Sequence, residues 1–213
     1  MNFIVFPGQG SQKIGMGKDL SDNFVEAREV FEEVNESLNF DLTKIMWGDN
    51  EKDLSLTSNA QPALMACGIA SFRVLSKLTG KKLPDLANFV CGHSLGEYTA
   101  MTVAEVFSLQ ECSKLLRLRG DAMQKAVPVG KGAMAAFIGA DIKTIEKILE
   151  KVQSYGICDI ANDNSDVQVV ISGDLDAVEN AISLSKEYGI KRAIVLPVSA
   201  PFHCRLMQPA QSI

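Results

Sequence analysis

Phe3-Ile4-Val5-Phe6 is a short apolar run closed by Pro7 and Gly8. It reads as a buried strand followed by the loop Pro7-Gly8-Gln9-Gly10-Ser11-Gln12. Asn23, with Glu26 three places on, is a helix start signal, after which Phe24, Ala27, Phe31, Val34 and Leu38 recur at helical spacing. This predicts an amphipathic helix whose Glu26, Glu29, Glu32, Glu33 and Glu36 face water. A polar stretch around Gly48 to Asp53 follows. Thr57-Ser58-Asn59-Ala60-Gln61-Pro62 then opens a long apolar helix over 63 to about 77, with Pro62 in its first turn, and Gly80-Lys81-Lys82-Leu83-Pro84 ends it.

A second apolar run, Phe89-Val90-Cys91, meets Gly92-His93-Ser94-Leu95-Gly96 and passes into residues 97–104, which suit a helix. The order is strand, sharp turn, helix, with a serine at the apex. A serine forced into a strained turn needs neighbours without side chains, so that strand and helix can pass close together. Taken alone, the stretch also reads as a Gly-rich turn with a capping serine. A further helix over 108 to about 126 has Leu109, Cys112, Leu115, Leu116 and Met123 as inner positions. Arg117 and Arg119 lie two apart on it and do not share a face, and periodicity does not decide which points inward.

Beyond Pro128-Val129-Gly130-Lys131-Gly132 the texture changes. A strand is expected over 133–138, a helix over 142–152, strands over 157–161 and 167–172, a helix over 175–188 and a strand over 193–198. That βαββαβ order is the split-βαβ arrangement of ferredoxin-like domains. The expected organisation is a main domain begun in 1–127, an inserted domain over 128–198, and a return to the main domain over 199–213. Ala161-Asn162-Asp163-Asn164-Ser165, between the two central strands, reads either as a simple turn or as a loop facing a cleft.

The chain has 213 residues, enough to bury a sizeable core, and its 46% hydrophobic and 22% charged content is ordinary for a soluble globular protein. A net charge of −5 argues against a general nucleic-acid binder, which needs a basic face for phosphates. Cys67, Cys91, Cys112, Cys158 and Cys204 are scattered with no C-x-x-C, a pattern that fits reduced thiols in the cytoplasm. No apolar run approaches membrane-spanning length, and the N-terminus reads as a first strand rather than a secretory leader. With two histidines and no clustered ligand set, metal chemistry is not expected. A dinucleotide fingerprint would need a glycine where Lys13 stands. The early loop keeps two readings, a ligand-facing backbone and a plain connection.

A serine hydroxyl is a poor nucleophile at neutral pH and needs a base within hydrogen-bond reach. The only histidines are His93 and His203. His93 adjoins Ser94 on a tight turn, where consecutive side chains diverge, which leaves His203 as the favoured base. In isolation, a histidine between Phe202 and Cys204 reads equally as a core residue. In elbow enzymes one oxyanion donor is the N–H after the nucleophile, here Leu95, and the other comes from an early loop, here that of Gln9. Each such donor is typically worth about 10²- to 10³-fold in rate.

Phe6-Pro7-Gly8-Gln9-Gly10-Ser11-Gln12, Gln61-Pro62-Ala63, Gly92-His93-Ser94-Leu95-Gly96-Glu97-Tyr98, Arg119-Gly120 with Met123-Gln124, and Phe202-His203-Cys204 run in that order between residues 3 and 207. Together they closely resemble the malonyl-CoA:acyl carrier protein transacylases, a family of acyltransferases. The resemblance implies an α/β fold, an α/β-hydrolase-like main domain with a parallel sheet, interrupted by a small ferredoxin-like α+β domain. It implies that malonyl-CoA, a substrate with no further cofactor, acylates Ser94, with His203 as base and then acid and the N–H groups of Gln9 and Leu95 as oxyanion hole. Arg119 matches the arginine that clamps the malonyl carboxylate. Gln61 and Asn162 match positions lining the site, and Met123 and Phe202 match its apolar wall.

Bulk at Phe202 matches a malonyl-selective pattern, a contact worth about 1–3 kcal/mol. The implied partner is acyl carrier protein, loaded by ping-pong transfer to supply fatty acid biosynthesis. Such an acidic carrier would be met by Lys114, Arg117, Lys191, Arg192 and Arg205. Family members continue past the position matching Ile213, so the chain is expected to be a piece lacking the C-terminal part. Two other readings remain open here, a serine thioesterase or esterase and an inactive carrier-binding fragment.

Overall fold

The computed structural model describes residues 1–213, and the chain divides into two units, Met1–Asp121 and Ala122–Ile213. The first contains β1 (Phe3–Phe6), α1 (Lys18–Asn23), α2 (Val25–Leu38), α3 (Leu42–Met46), α4 (Glu51–Ser55), α5 (Thr57–Thr79), α6 (Leu83–Leu86), β2 (Phe89–Gly92), α7 (Leu95–Val103) and most of α8 (Leu109–Ala126). Strands β1 and β2 pair in parallel, Phe3 opposite Phe89 through Phe6 opposite Gly92. Ile4, Phe6 and Val90 face a core shared with Phe31, Leu42, Met65, Leu95 and Leu116. The strands expected to be buried are covered on that face only. Phe3, Val5 and Phe89 are exposed on the other, where the Phe3 and Phe89 rings stack at 5.3 Å.

Asn23 closes α1 instead of opening the next helix, and its Nδ2 donates to the Asp19 carbonyl at 2.7 Å. Helix α2 begins after Phe24, which caps it with extended backbone and no side-chain bond. Its periodic Ala27, Phe31 and Val34 are buried as expected, while Glu26 pairs with Lys77 at 3.0 Å. The polar stretch near Gly48 is flanked by two short helices. Asp41 accepts from the Lys44 N–H and Asn50 from the Lys52 N–H, and Leu42, Met46 and Leu54 anchor them in the core.

Helix α5 begins at Thr57, six residues before Ala63, so Pro62 falls in its second turn. A proline has no N–H for the carbonyl four residues back, here that of Ser58. Arg117 on α8 supplies the donor: Nη1 lies 3.4 Å from the Ser58 oxygen and 2.7 Å from Asn59 Oδ1. Arg117 also pairs with Asp121 at 3.4 Å and stands 4.9 Å over the Phe40 ring. Leu109, Cys112, Leu116 and Met123 are buried, whereas Leu115 faces water beside Leu118.

The second unit contains β3 (Gly132–Ile138), α9 (Ile142–Val152), β4 (Cys158–Ser165), β5 (Gln168–Asp174), α10 (Leu175–Ser185), β6 (Arg192–Val195) and α11 (Gln208–Gln211). Its sheet order is β4-β5-β3-β6, antiparallel throughout. Successive residues of a strand face opposite ways, and both faces of this sheet are apolar. Ala135, Phe137, Val169 and Ile171 pack with Ile145 and Ile148 of α9 and Val178 and Ala181 of α10. Met134, Ala136 and Val170, on the other face, pack with Met123, Val127, Ala200, Phe202 and Met207. Met123 and Val127, before residue 128, and Ala200, Phe202 and Met207, after residue 198, thus share a core with this sheet, and the compact unit spans Ala122–Ile213. No helix is long and apolar enough to cross a membrane.

Candidate active site

Strand β2 ends at Gly92 and α7 begins at Leu95, which leaves only His93 and Ser94 to turn the chain. Ser94 has φ 53° and ψ −113°, a conformation that costs a non-glycine residue of order 1–3 kcal/mol. Its surroundings hold it there. The His93 N–H donates to the Phe6 carbonyl at 3.0 Å, the Gly96 N–H to the His93 carbonyl at 2.9 Å, and the Glu97 N–H to the Ser94 carbonyl at 3.1 Å. A Cβ on Gly92 would overlap the Gly96 carbonyl, and one on Gly96 would overlap the Phe6 carbonyl. A Cβ on Gly8 would lie 2.6 Å from His93 Nδ1, so the loop carrying Gln9 runs directly against the turn. The Leu95 N–H opens α7, at the end of a helix where donors lack helical partners and the dipole is positive.

Helix α8 presses on the start of α5 at Gly120, where a Cβ would meet the Ser58 Cα at 2.5 Å. That approach brings the neighbouring Arg119 into the site. Its Nη1 donates to Gln61 Oε1, and its Nη2 donates to Ser94 Oγ at 3.2 Å. The guanidinium carbon stands 5.6 Å from the Tyr98 ring centroid, within cation–π range. Burial pushes the Arg119 pKa below its usual value, and Tyr98 and Glu97 oppose the shift; an arginine stays charged regardless. A guanidinium is a planar fork of N–H donors, a geometry suited to gripping a carboxylate.

Gln61 is buried on α5. Its Nε2 donates to Thr57 Oγ1 at 2.9 Å, and the Thr57 hydroxyl donates to Gln9 Oε1 at 2.8 Å. Gln9, Gln61, Ser94, Leu95 and Arg119 therefore come together in the first unit. Thr57, fully buried, joins them although the sequence reading treats it only as a start signal. The available clue is its position four residues before Gln61, which puts both on one face once the helix starts at 57.

Met123, Asn162, Phe202 and His203 belong to the second unit. Met123 and Phe202 lie in one apolar cluster with Met134, Val170 and Ala200. Asn162 stands on β4, which runs to Ser165 where a turn or loop was expected. The register shifts between Ile160 and Asn162, a bulge of the kind that re-aims a side chain. His203 is exposed, with φ 58°. Among the basic residues expected on a docking face, Lys114, Lys191 and Arg192 are exposed. Arg117 is committed to α5, and Arg205 makes a bidentate pair with Asp159, 2.8 Å at its closest.

The profile of the acyl transferase domain family matches residues 3–212. The malonyl CoA-acyl carrier protein transacylase of Bacillus subtilis (strain 168) is 44% identical over 208 residues, covering 97% of this chain and 64% of that protein. The crystal structure of acyl-carrier-protein-S-malonyltransferase from Bartonella henselae superposes with a TM-score of 0.94 at 53% identity, over 100% of this chain and 68% of that one. A malonyl-transacylase solved in complex with a type II PKS acyl-carrier protein superposes with a TM-score of 0.92 at 41% identity, over 99% and 67% of the respective chains. The chain thus spans about two thirds of the length of the proteins it matches.

Proposed function

The chain belongs to the acyl transferase domain family, and from that premise we propose that it transfers a malonyl group from malonyl-CoA to the phosphopantetheine thiol of acyl carrier protein. The observation that carries this reading is Arg119, a half-buried cation bonded to the nucleophilic Ser94 hydroxyl. A hydrolase of neutral acyl groups has no use for a cation there, whereas an acyl group ending in a carboxylate does. The named activities of the similar proteins support the same substrate, and the solved carrier complex supports the partner.

In the first half-reaction Ser94 Oγ attacks the thioester carbonyl carbon while its proton passes to His203. The oxyanion accepts from the N–H groups of Leu95 and Gln9. The carbon–sulfur bond breaks, CoA sulfur takes the proton from His203, and a malonyl ester remains on Ser94. The carrier thiol then repeats the sequence in reverse. His203 is assigned because His93, the only other histidine, has its ring against Gly8 and its backbone in the turn. Gln61 and Asn162 are assigned to line the bound acyl group, and Met123 and Phe202 to form an apolar wall.

The βαββαβ order and the β4-β5-β3-β6 sheet support a ferredoxin-like assignment for the second unit. The main domain is assigned as α/β-hydrolase-like on its parallel strands and serine turn. Malonyl-CoA enters as substrate with no separate cofactor, and the setting is the cytoplasm, serving fatty acid biosynthesis. Brief mixing with malonyl-CoA tests the proposal by intact mass: a malonyl adduct on Ser94 persists until carrier thiol is added. Rapid release of free malonate without carrier would replace the transferase reading with a hydrolase.

A further inference from the structure

Arginine has only N–H groups to offer, and that fixes the direction of every bond leading away from Arg119. Gln61 must present its oxygen to the guanidinium and therefore its nitrogen to Thr57. The Thr57 oxygen, having accepted, has one proton to give, and it gives it to Gln9 Oε1. The chain Arg119 to Gln61 to Thr57 to Gln9 thus has a single polarity. It joins the cation at the nucleophile to the loop that lies against the serine turn. Thr57 is completely buried and Gln61 nearly so. The Gln9 Nε2 at the far end is itself buried without a partner, so the Gln9 side chain is anchored through its Oε1, by the Thr57 hydroxyl.

We propose that Thr57 is a positioning residue for the acyl transfer, its hydroxyl fixing the Gln9 loop and the Gln61 amide at once so that oxyanion donor and carboxylate clamp keep their places around Ser94. The proposal rests on the acyl-transfer reading above. Its role is distinct from simple packing because valine, which has the same shape without the hydroxyl, cannot accept from Gln61 or donate to Gln9. A donor displaced by about 1 Å is enough to slow a reaction by up to about 10²-fold.

The test compares wild type with Thr57→Val and Thr57→Ser, using two reagents on Ser94 and a thermal midpoint for each protein. A fluorophosphonate probe needs the nucleophile and the oxyanion donors but not the clamp; malonyl-CoA needs all three. The expected result is a maximal fluorophosphonate rate about tenfold lower in Thr57→Val, with half-saturating probe concentration unchanged. Malonyl loading should fall at least as far, and Thr57→Ser should stay within about threefold of wild type. The Thr57→Val loss should also vanish in a Gln9→Met background, because two members of one chain do not add.

Equal rates for Thr57→Val and wild type would overturn the proposal, as would Thr57→Ser no better than Thr57→Val. If Thr57→Val melts before assay, Thr57→Ser and the cycle built on Thr57→Ala decide instead. A wild-type chain that reacts with the probe but takes no malonyl group refutes the proposed substrate while leaving the Thr57 comparison intact. One whose Ser94 reacts with neither reagent overturns both.

Discussion

The Arg119 side chain donates through Nη2 to Ser94 Oγ at 3.2 Å, so the cation suited to an acyl carboxylate is in direct contact with the atom that would carry the acyl group. Arg119→Ala is expected to lower kcat/KM for malonyl-CoA by about 10- to 100-fold, the scale of a hydrogen bond to a charged group. Acetyl-CoA, which has no carboxylate, should gain in relative use. Competition between the two thioesters measures this, and an equal loss for both would refute the clamp.

Gly92→Ala places a methyl group into the Gly96 carbonyl. Relief requires the turn itself to open, so the variant should lose more than about 3 kcal/mol and yield little soluble protein. Gly10→Ala provides the contrast. Gly10 has φ 108° but open space around it, and the cost there should stay near the about 1–3 kcal/mol of backbone strain. Soluble yield of the two variants side by side, with a thermal melt of Gly10→Ala, compares the cost of crowding at Gly92 with that of backbone strain at Gly10.

Burial pushes the Cys67 and Cys158 thiols up to about 12, and Cys112 and Cys204 are also raised by burial. A thiol alkylates through its thiolate, so at pH 8 these four should react slowly. Cys91 is exposed and should be modified first. Peptide mapping after a short pulse of iodoacetamide gives the order, and early modification of Cys67 would contradict it.

Burial alone would raise the Asp159 carboxyl, but bonds from the Arg205 side chain and backbone N–H outweigh it and hold the pKa below its usual value. A carboxylate depressed in the folded state contributes stability that is present above its unfolded pKa, about 3.9, and lost as pH falls through the folded value. Wild type should therefore melt above Arg205→Met at pH 7, with the gap closing progressively below about pH 4. A gap independent of pH would mean that Arg205 acts through packing of its stem.

The serine turn was legible because its glycines, its apolar strand and its helix occupy consecutive positions, so local sterics decide the structure. Helix α9, capped by Asp141 at the Thr144 N–H, is found over the expected residues for the same reason. What escaped depends on distant partners. The start of α5 looks too early for a helix containing Pro62 until Arg117, more than fifty residues on, satisfies the Ser58 carbonyl. Asn162 to Ser165 is polar enough for a turn, yet pairing with β5 draws it into a strand. Thr57 carries no motif of its own, and its place in the site is defined by Gln9 and Gln61, one from another loop and one from the next helical turn. The inward choice between Arg117 and Arg119 resolved as both, because α5 offers each arginine a different acceptor.

None of the three hydrogen bonds that close the turn at residue 94 uses the serine side chain. His93, Gly96 and Glu97 make them through the backbone, and Gly8, Gly92 and Gly96 supply the clearance. The scaffold is in that sense indifferent to the group it displays. A cysteine at position 94 would be presented at the same apex, which makes this turn a socket into which a different nucleophile can be fitted without redesigning the fold that carries it.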